Sequence, residues 1–275
     1  MCMKTPYQEG LSRAVIDGIW GKTYRRKVGI IQAAINRLRA ETYVEIGVDS
    51  GECFWRVDAK RKIAVDPIMQ PAFRSTFKGL HVRAGDETPP RESLALANSV
   101  FFEMTSDNAF TRHATVFAEQ PIDVVLIDGL HTYEQSLKDV QHCLNYLRPE
   151  GVIVMHDCNP ASEAMAVPAP SFEAAEKLGV PGWNSQWSGD VWKTIVHLRS
   201  CRDDLQVFVL DCDLGVGIVS RRRMQIKTHV PLLDYSAEGI AKLCYVDLDR
   251  QRKMLLNLKH PRYFHAFLAN LKHSK

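Results

Sequence analysis

The sequence predicts an α/β protein with a doubly wound, mostly parallel sheet. From position 41 onward its apolar residues fall in short, nearly continuous runs, which are typical of strands buried on both faces. A helical stretch lies between two of these runs, and strand–helix–strand order indicates a parallel crossover unit. Glycine-containing turns and acidic residues follow several runs directly, which places a ligand at the carboxyl ends of the strands.

An amphipathic helix is expected ahead of the sheet, over residues 24–40, because Val28, Ile31, Ile35 and Leu38 recur at helical spacing. The runs that predict buried strands lie at residues 43–46, 63–65, 124–127, 152–155, 207–210 and 216–219, with a further candidate at 100–104.

The helix expected over residues 132–147 carries an apolar stripe that includes Leu137, Val140 and Leu144, and it joins the third and fourth of the six runs. The last two runs are separated only by residues 211–215, a connection too short for a helix. They are therefore expected to form an antiparallel hairpin at the edge of the sheet.

We expect one domain with decorations. Residues 41–220 form the main domain of this prediction, and residues 158–193 form a lid-like insertion in it, rich in Pro, Gly and Trp. Residues 1–40 are expected to be an N-terminal helical cap, and residues 221–275 a helical extension of the same domain. Residues 67–98 also fall outside the regular alternation.

Composition excludes several classes of protein. Hydrophobic residues make up 45% of the 275 residues and charged residues 24%, which indicates a globular chain rather than a disordered one. No apolar run approaches the roughly 20 residues that cross a bilayer. The amino terminus lacks the basic and apolar pattern of a secretory leader, so we expect a cytoplasmic location without membrane contact. The seven cysteines are widely spaced without a C-x-x-C pair, and free thiols are expected.

The net charge of +3 is unevenly distributed. Residues 1–40 carry +6 and residues 221–275 carry +8, so the middle of the chain carries −11. Basic ends suggest nucleic-acid binding, but the tight basic cluster from Arg221 to Arg223 directly follows a predicted strand. We therefore favour a solvated surface and a small-molecule substrate over a nucleic-acid partner, and leave the oligomeric state open.

The first group of candidate site residues lies in the segment VEIGVDSG, residues 44–51. Glu45 is an acid inside a strand predicted to be buried, and Asp66 ends the next strand, where an acid can bind a ribose diol. The turn has Gly47 and Gly51 but lacks the G-x-G-x-x-G that seats a pyrophosphate. A cationic cofactor without a diphosphate, such as S-adenosylmethionine, suits Glu45, Asp49 and Asp66 better than NAD does.

The chain resembles the class I S-adenosylmethionine-dependent methyltransferases, and within them the branch called methyltransferase family 24. The motifs that carry the resemblance are VEIGVDSG, AVDP and VLIDGLHTYEQSLKDVQHCLNYLRPEGVIVMHD, and the resemblance covers about residues 41–220. It implies a Rossmann-like methyltransferase fold. Glu45 and Gly47 would line the methionine part of the cofactor, and Asp66 would hold the ribose.

The resemblance also places the adenine. Thr105, Ser106 and Asp107, after the candidate strand at 100–104, match the segment that holds it in this family. Asp86, in the segment AGDE, is a competing candidate because the insertion at 67–98 obscures the third strand.

The second group of candidates comprises Asp128, His131, His156 and Asp157. Asp128 ends one predicted strand, and His156 and Asp157 end the next, so parallel pairing brings them together. Two carboxylates at adjacent strand ends can share Mg²⁺ or Mn²⁺. By resemblance, Asp128 and Asp157 would hold the metal beside the cofactor, and His131 would act as catalytic base. His156 stands where some relatives have a carboxylate, and an imidazole there favours softer ions.

The sequence thus predicts a methyltransferase acting on a hydroxyl of a sugar or other small molecule, with Asp128 also contacting the cofactor. Metal-independent transfer to nitrogen and RNA methylation remain as alternatives. A nucleotide-binding oxidoreductase is disfavoured, because the phosphate-cradling loop is missing.

Overall fold

The computed structural model describes residues 26–221 and 233–271, and it confirms the predicted fold class. Eight strands form one sheet in the order β3-β4-β2-β1-β5-β6-β8-β7. All neighbours from β3 to β6 pair in parallel, whereas β8 is antiparallel to both β6 and β7. The strands are β1 (Thr42–Ile46), β2 (Arg61–Asp66), β3 (Leu80–Arg83), β4 (Ser99–Glu103), β5 (Ile122–Ile127), β6 (Leu147–Met155), β7 (Leu205–Leu210) and β8 (Val216–Arg221).

Helices cover both faces of the sheet. They are α1 (Lys27–Leu38), α2 (Glu52–Arg56), α3 (Pro71–Thr76), α4 (Arg91–Leu96), α5 (Ser106–Arg112), α6 (Ala114–Glu119), α7 (Tyr133–Tyr146), α8 (Phe172–Lys177), α9 (Trp192–Cys201), α10 (Ala237–Lys242), α11 (Tyr245–Leu255) and α12 (Tyr263–Asn270).

The side chains of the central strands alternate between two cores. Val125 and Ile127 of β5 join the core that includes Val140 of α7, whereas Val124 and Leu126 join the core that includes Ile31 of α1. All of these strand residues are at most 4% exposed. The continuous apolar pattern read in the sequence thus arises because helices cover both faces.

The sequence prediction missed one strand. β3 lies inside the stretch 67–98, and it makes the predicted third strand at 100–104 the fourth strand, β4. β3 has four residues, of which only Val82 is buried, and it lies at the sheet margin. A short edge strand carries a weak apolar pattern, because one side of it has no neighbour.

Other differences concern element boundaries and decorations. β6 begins at Leu147, ahead of the run at 152–155 that predicted this strand, and it includes Pro149. Of the six described cysteines, Cys53, Cys143 and Cys158 are buried. Residues 158–193 contain α8 and a small apolar cluster around Trp187. Whether this segment acts as a lid stays a prediction, as do the domain boundaries. None of the helices in the described ranges is long and apolar enough to span a bilayer.

Candidate functional site

A cavity of about 270 Å³ opens at the carboxyl edge of the sheet. It lies where the end of β1 meets the end of β5, the edge at which doubly wound sheets bind their ligands. Many of the residues that line it are charged, and both signs are represented. The lining residues are Arg26, Lys27, Val28, Glu45, Gly47, Val48, Asp49, Ser50, Glu52, Cys53, Arg56, Asp128, His156 and Asp213.

The turn after β1 forms one wall of this cavity. Gly47 has φ +81°, and a Cβ atom there would lie 2.1 Å from the carbonyl oxygen of Asp128. Gly51 has φ +84° and precedes α2, with the ring of Phe73 only 2.3 Å from an added Cβ. The glycines are therefore required by backbone conformation and by packing within the protein. For Gly47 the close neighbour is the end of β5.

Glu45 is buried in this wall and also lines the cavity. Glu45 is only 1% exposed, and the hydroxyl of Tyr43 donates a hydrogen bond of 2.6 Å to its Oε2. Within the part of the chain that the structure describes, no Lys or Arg forms an ion pair with Glu45. Burial raises the pKa of Glu45 to about 8, although the bond from Tyr43 opposes this rise.

Asp66 accepts hydrogen bonds from the backbone of the same turn. Its Oδ2 accepts hydrogen bonds from the amides of Val48 at 2.8 Å and Asp49 at 3.2 Å, and its Oδ1 accepts one from Ile68 at 2.9 Å. Asp49 lines the cavity, whereas Asp66 does not. The predicted contact of Asp66 with a ribose stays a prediction, and the observed contacts give it a second role in shaping the wall.

The predicted adenine segment begins helix α5. Thr105 caps this helix by accepting a hydrogen bond from the amide of Asn108, and Ser106 donates to the buried Asp139 at 2.6 Å. Asp107 accepts a hydrogen bond from His142 at 2.9 Å. None of the three predicted residues lines the cavity. The competing candidate Asp86 closes a turn after β3 by accepting the amide of Arg83.

The other wall of the cavity includes Asp128 and His156 of the second predicted group, whereas His131 and Asp157 do not line the cavity. The structure nevertheless brings all four residues together. His131 Nε2 lies 3.6 Å from Asp128 Oδ1 and 3.4 Å from Asp157 Oδ2. His156 Nδ1 lies 2.9 Å from Asp157 Oδ2 and 3.4 Å from Asp128 Oδ1. This cluster forms because β5 and β6 are parallel neighbours whose ends coincide, as Ile127 pairs with Met155.

The orientation of His131 is fixed by its other ring nitrogen. Nδ1 lies 2.7 Å from the carbonyl oxygen of Trp187, which can only accept, so Nδ1 carries a proton. In the neutral imidazole, Nε2 then presents a lone pair to Asp128 and Asp157. Burial opposes protonation, but the two carboxylates raise the pKa of His131. Three acceptor atoms thus converge, and either a proton or a metal cation must lie among them.

His156 is oriented differently. Its Nδ1 donates to Asp157, while its Nε2 is buried, makes no hydrogen bond and lies 3.6 Å from Asp213 Oδ2. Burial favours the neutral ring, but Asp128, Asp157 and Asp213 raise the pKa of His156 well above its ordinary value. Burial alone would also raise the pKa of Asp128, yet His156, His131 and Lys27 hold it well below the usual range.

Sequence reasoning missed three residues that contact this cluster. Lys27 donates from its ammonium group to Asp128 Oδ2. Asp213, in the β7–β8 turn, accepts the backbone amide of Lys27 at 2.7 Å, and Ser188 donates to Asp157 Oδ1 at 2.7 Å. Asp213 and Ser188 lie far along the chain from the strand ends that they contact. Lys27 begins a helix whose pattern reports only on its apolar face, so no local signal marked any of the three.

Comparison with protein families gives one match. Residues 44–158 match the model of methyltransferase family 24, described as a methyltransferase domain. Among curated protein sequences, none matches the chain significantly.

Several solved structures are similar in part. They include methyltransferase PaMTH1 of Podospora anserina bound to S-adenosylhomocysteine, at 17% identity and TM-score 0.47 over 72% of this chain and 78% of that one. A putative caffeoyl-CoA O-methyltransferase from Staphylococcus aureus has 14% identity and TM-score 0.44 over 71% and 82%. An O-methyltransferase from Bacillus cereus in complex with S-adenosylhomocysteine has 12% identity and TM-score 0.44 over 71% and 80%.

Proposed function

Because residues 44–158 match the model of methyltransferase family 24, we propose that the chain is a class I S-adenosylmethionine-dependent methyltransferase that methylates a hydroxyl of a small molecule at the cavity described above. The observation that carries this proposal is that Asp128 belongs to both walls. It lines the cavity beside Glu45 and Gly47, and it is also a member of the cluster with His131 and Asp157. A cofactor bound at the first wall would thus meet an acceptor at the second.

The cavity suits the charge of S-adenosylmethionine, which supplies an electrophilic methyl group when bound. Glu45 is a buried acid that forms no ion pair with a described Lys or Arg, and it faces the space where the methionine part is proposed to lie. Asp49 and Asp128 add negative charge to the lining, and Arg26 provides a cation for the carboxylate of the tail. These are the groups that a ligand with an ammonium, a sulfonium and a carboxylate requires.

The cluster on the other wall suits a divalent cation. Asp128, His131 and Asp157 each offer one ligand atom, and these atoms all lie within 4.8 Å of one another. The two carboxylates are donors that Mg²⁺ and Mn²⁺ prefer, whereas the imidazole favours a softer ion, so Mn²⁺ suits this set of donors better than Mg²⁺. A bound cation would polarise the acceptor hydroxyl and lower its pKa. Ser188, which donates to Asp157, and Trp187, whose carbonyl holds His131, would keep these donors in place.

The geometry offers His131 two roles. The sequence predicts it as the catalytic base, whereas its Nε2 points at the two carboxylates and so favours a role as metal ligand. The two roles differ in what His131→Ala does to metal binding. A ligand variant loses about tenfold or more in Mn²⁺ affinity, whereas a variant lacking only the base binds Mn²⁺ normally and loses about 10²- to 10⁴-fold in rate.

The first experiment is a thermal shift series with S-adenosylmethionine, S-adenosylhomocysteine, NAD and NADP. A ligand that prefers the native state raises the unfolding temperature. We expect shifts with the first two ligands only. A shift with NAD and none with S-adenosylhomocysteine would contradict the proposal.

A chelator then separates the oxygen acceptor from the alternative. Turnover that stops in excess chelator and resumes with Mg²⁺ or Mn²⁺ supports transfer to a metal-bound hydroxyl. Full activity in chelator would favour metal-independent transfer to nitrogen, for which the Lys27–Asp128 ion pair would supply the local charge balance.

A further inference from the structure

Lys27 lies in the candidate site although it precedes the residues that match the family model. It is the first residue of α1, and its ammonium group binds Asp128 Oδ2. The side chain is 24% exposed, and it lines the cavity together with Asp128, His156 and Asp213. A positive charge from outside the matched domain thus lies at the end of β5.

The lysine is held in this position from two directions. Its backbone amide donates to Asp213 Oδ2, which binds the otherwise uncapped first turn of α1. The apolar face of the helix, including Ile30, Ile31 and Ile35, is at most 5% exposed and packs in the core beside β5 and β6. Lys27 therefore reaches Asp128 from a rigid element, not from a loop.

The two oxygens of Asp128 have different partners. Oδ2 binds the ammonium group of Lys27, whereas Oδ1 lies 3.6 Å from His131 Nε2 and 3.4 Å from His156 Nδ1. A divalent cation among Asp128, His131 and Asp157 would use the same carboxylate and would lie close to the ammonium group. Two cations that share one carboxylate repel each other strongly in a partly buried site.

We propose that Lys27 is a built-in counter-cation of Asp128 that competes with a divalent ion and so sets the affinity of the site for metal. The inference rests on the proposed function only for the location of the metal. It makes the N-terminal helix part of the site, since the charge of one of its residues determines how much divalent cation is needed for occupancy.

The test measures Mn²⁺ binding to the full-length protein by electron paramagnetic resonance, without acceptor. Removing the ammonium charge in Lys27→Met should tighten Mn²⁺ binding at least tenfold, because His131 and His156 still orient Asp128. Lys27→Gln serves as a second neutral variant if the first folds poorly. Lys27→Arg, which keeps the charge, should stay within threefold of the wild type.

The matched control is Lys60→Met, which removes an exposed lysine paired with Glu41 and should leave Mn²⁺ affinity unchanged. Adding Asp128→Asn to Lys27→Met should abolish the gain and thereby locate the ion. Binding by Lys27→Met but not by the wild type would also support the proposal, since the lysine would then exclude the metal.

Equal Mn²⁺ affinity in the wild type and both neutral variants would overturn the inference and leave the metal proposal intact. Absence of binding in all variants would overturn both. Calorimetry with S-adenosylhomocysteine on the same samples reports separately on the cofactor proposal.

Discussion

Glu45 on one wall of the cavity and Asp128 on the other are both buried acids, but their surroundings differ. Asp128 has Lys27, His131 and His156 around it, and these groups keep its pKa well below the usual range against the effect of burial. Glu45 accepts a hydrogen bond from Tyr43 and forms no ion pair within the described residues. Burial raises its pKa to about 8, although Tyr43, Lys27 and Cys53 oppose this rise.

The two acids thus differ in their direct partners, because Asp128 forms an ion pair with Lys27, whereas Glu45 forms none within the described residues. A buried carboxylate without a cation is costly in its charged form, so Glu45 is mostly protonated at neutral pH in the free protein. A cationic ligand would provide the missing partner. We therefore expect cofactor binding to change the protonation state of Glu45. The charge of Asp128 is balanced instead by Lys27, the two histidines and any bound metal.

The largest expected effect concerns the contact that joins the two walls. Gly47→Val should lower the free energy of unfolding by about 3 kcal/mol or more, because the new side chain meets the carbonyl of Asp128 and valine disfavours φ +81°. Urea denaturation measures the change. Gly85→Val is the control, because a Cβ atom there meets nothing within 4 Å. A loss below about 1 kcal/mol would show that the backbone at Gly47 and the end of β5 can move apart at little cost in free energy.

The next effect concerns the backbone of the Glu45 wall. Asp66→Ala should weaken S-adenosylhomocysteine binding by about 1.5 to 3 kcal/mol, because the amides of Val48 and Asp49 lose their charged acceptor and the ribose loses its predicted partner. Calorimetry measures the affinity, with Asp58→Ala as a control at an exposed acid. Unchanged affinity would remove Asp66 from the cofactor site.

The smallest effect concerns pH. The binding form of Glu45 is the carboxylate, and its pKa in the free protein is about 8, so affinity for S-adenosylhomocysteine should rise with pH and level off above 8. Between pH 6.5 and 7.5 the expected gain is roughly eightfold. Glu45→Gln should bind more weakly and show no such rise. A wild-type affinity that is flat over this range would mean that Glu45 is already ionised or stays neutral in the complex.

The sequence was sufficient to predict the parts of the site that follow from strand order. Asp128, His156 and Asp157 end adjacent strands, and their proximity follows once β5 and β6 are taken as parallel neighbours. Glu45 was identified because an acid interrupts an apolar run. Contacts between distant segments could not be predicted, since Lys27 and Asp213 are 186 residues apart and meet only through the packing of α1 and the β7–β8 turn.

By resemblance, Gly47 lines the methionine part of the cofactor, and the structure adds a second constraint at this glycine. A Cβ atom there would meet the carbonyl of Asp128 at the end of β5. A close approach between two backbone segments has no pattern in one sequence, because the second segment lies 81 residues away.

The central claim is that the cavity binds the amino acid tail of the cofactor and that Glu45 receives the charge of its ammonium group, which S-adenosylmethionine and S-adenosylhomocysteine share. Calorimetric titration of S-adenosylhomocysteine at pH 7, in two buffers with different ionisation enthalpies, counts the protons released on binding. With a pKa of about 8 for Glu45 in the free protein, we expect about 0.9 proton released per ligand. Glu45→Gln should release none, and adenosine, which lacks the amino acid tail, should release none from the wild type. Binding of S-adenosylhomocysteine to the wild type without proton release would contradict the account.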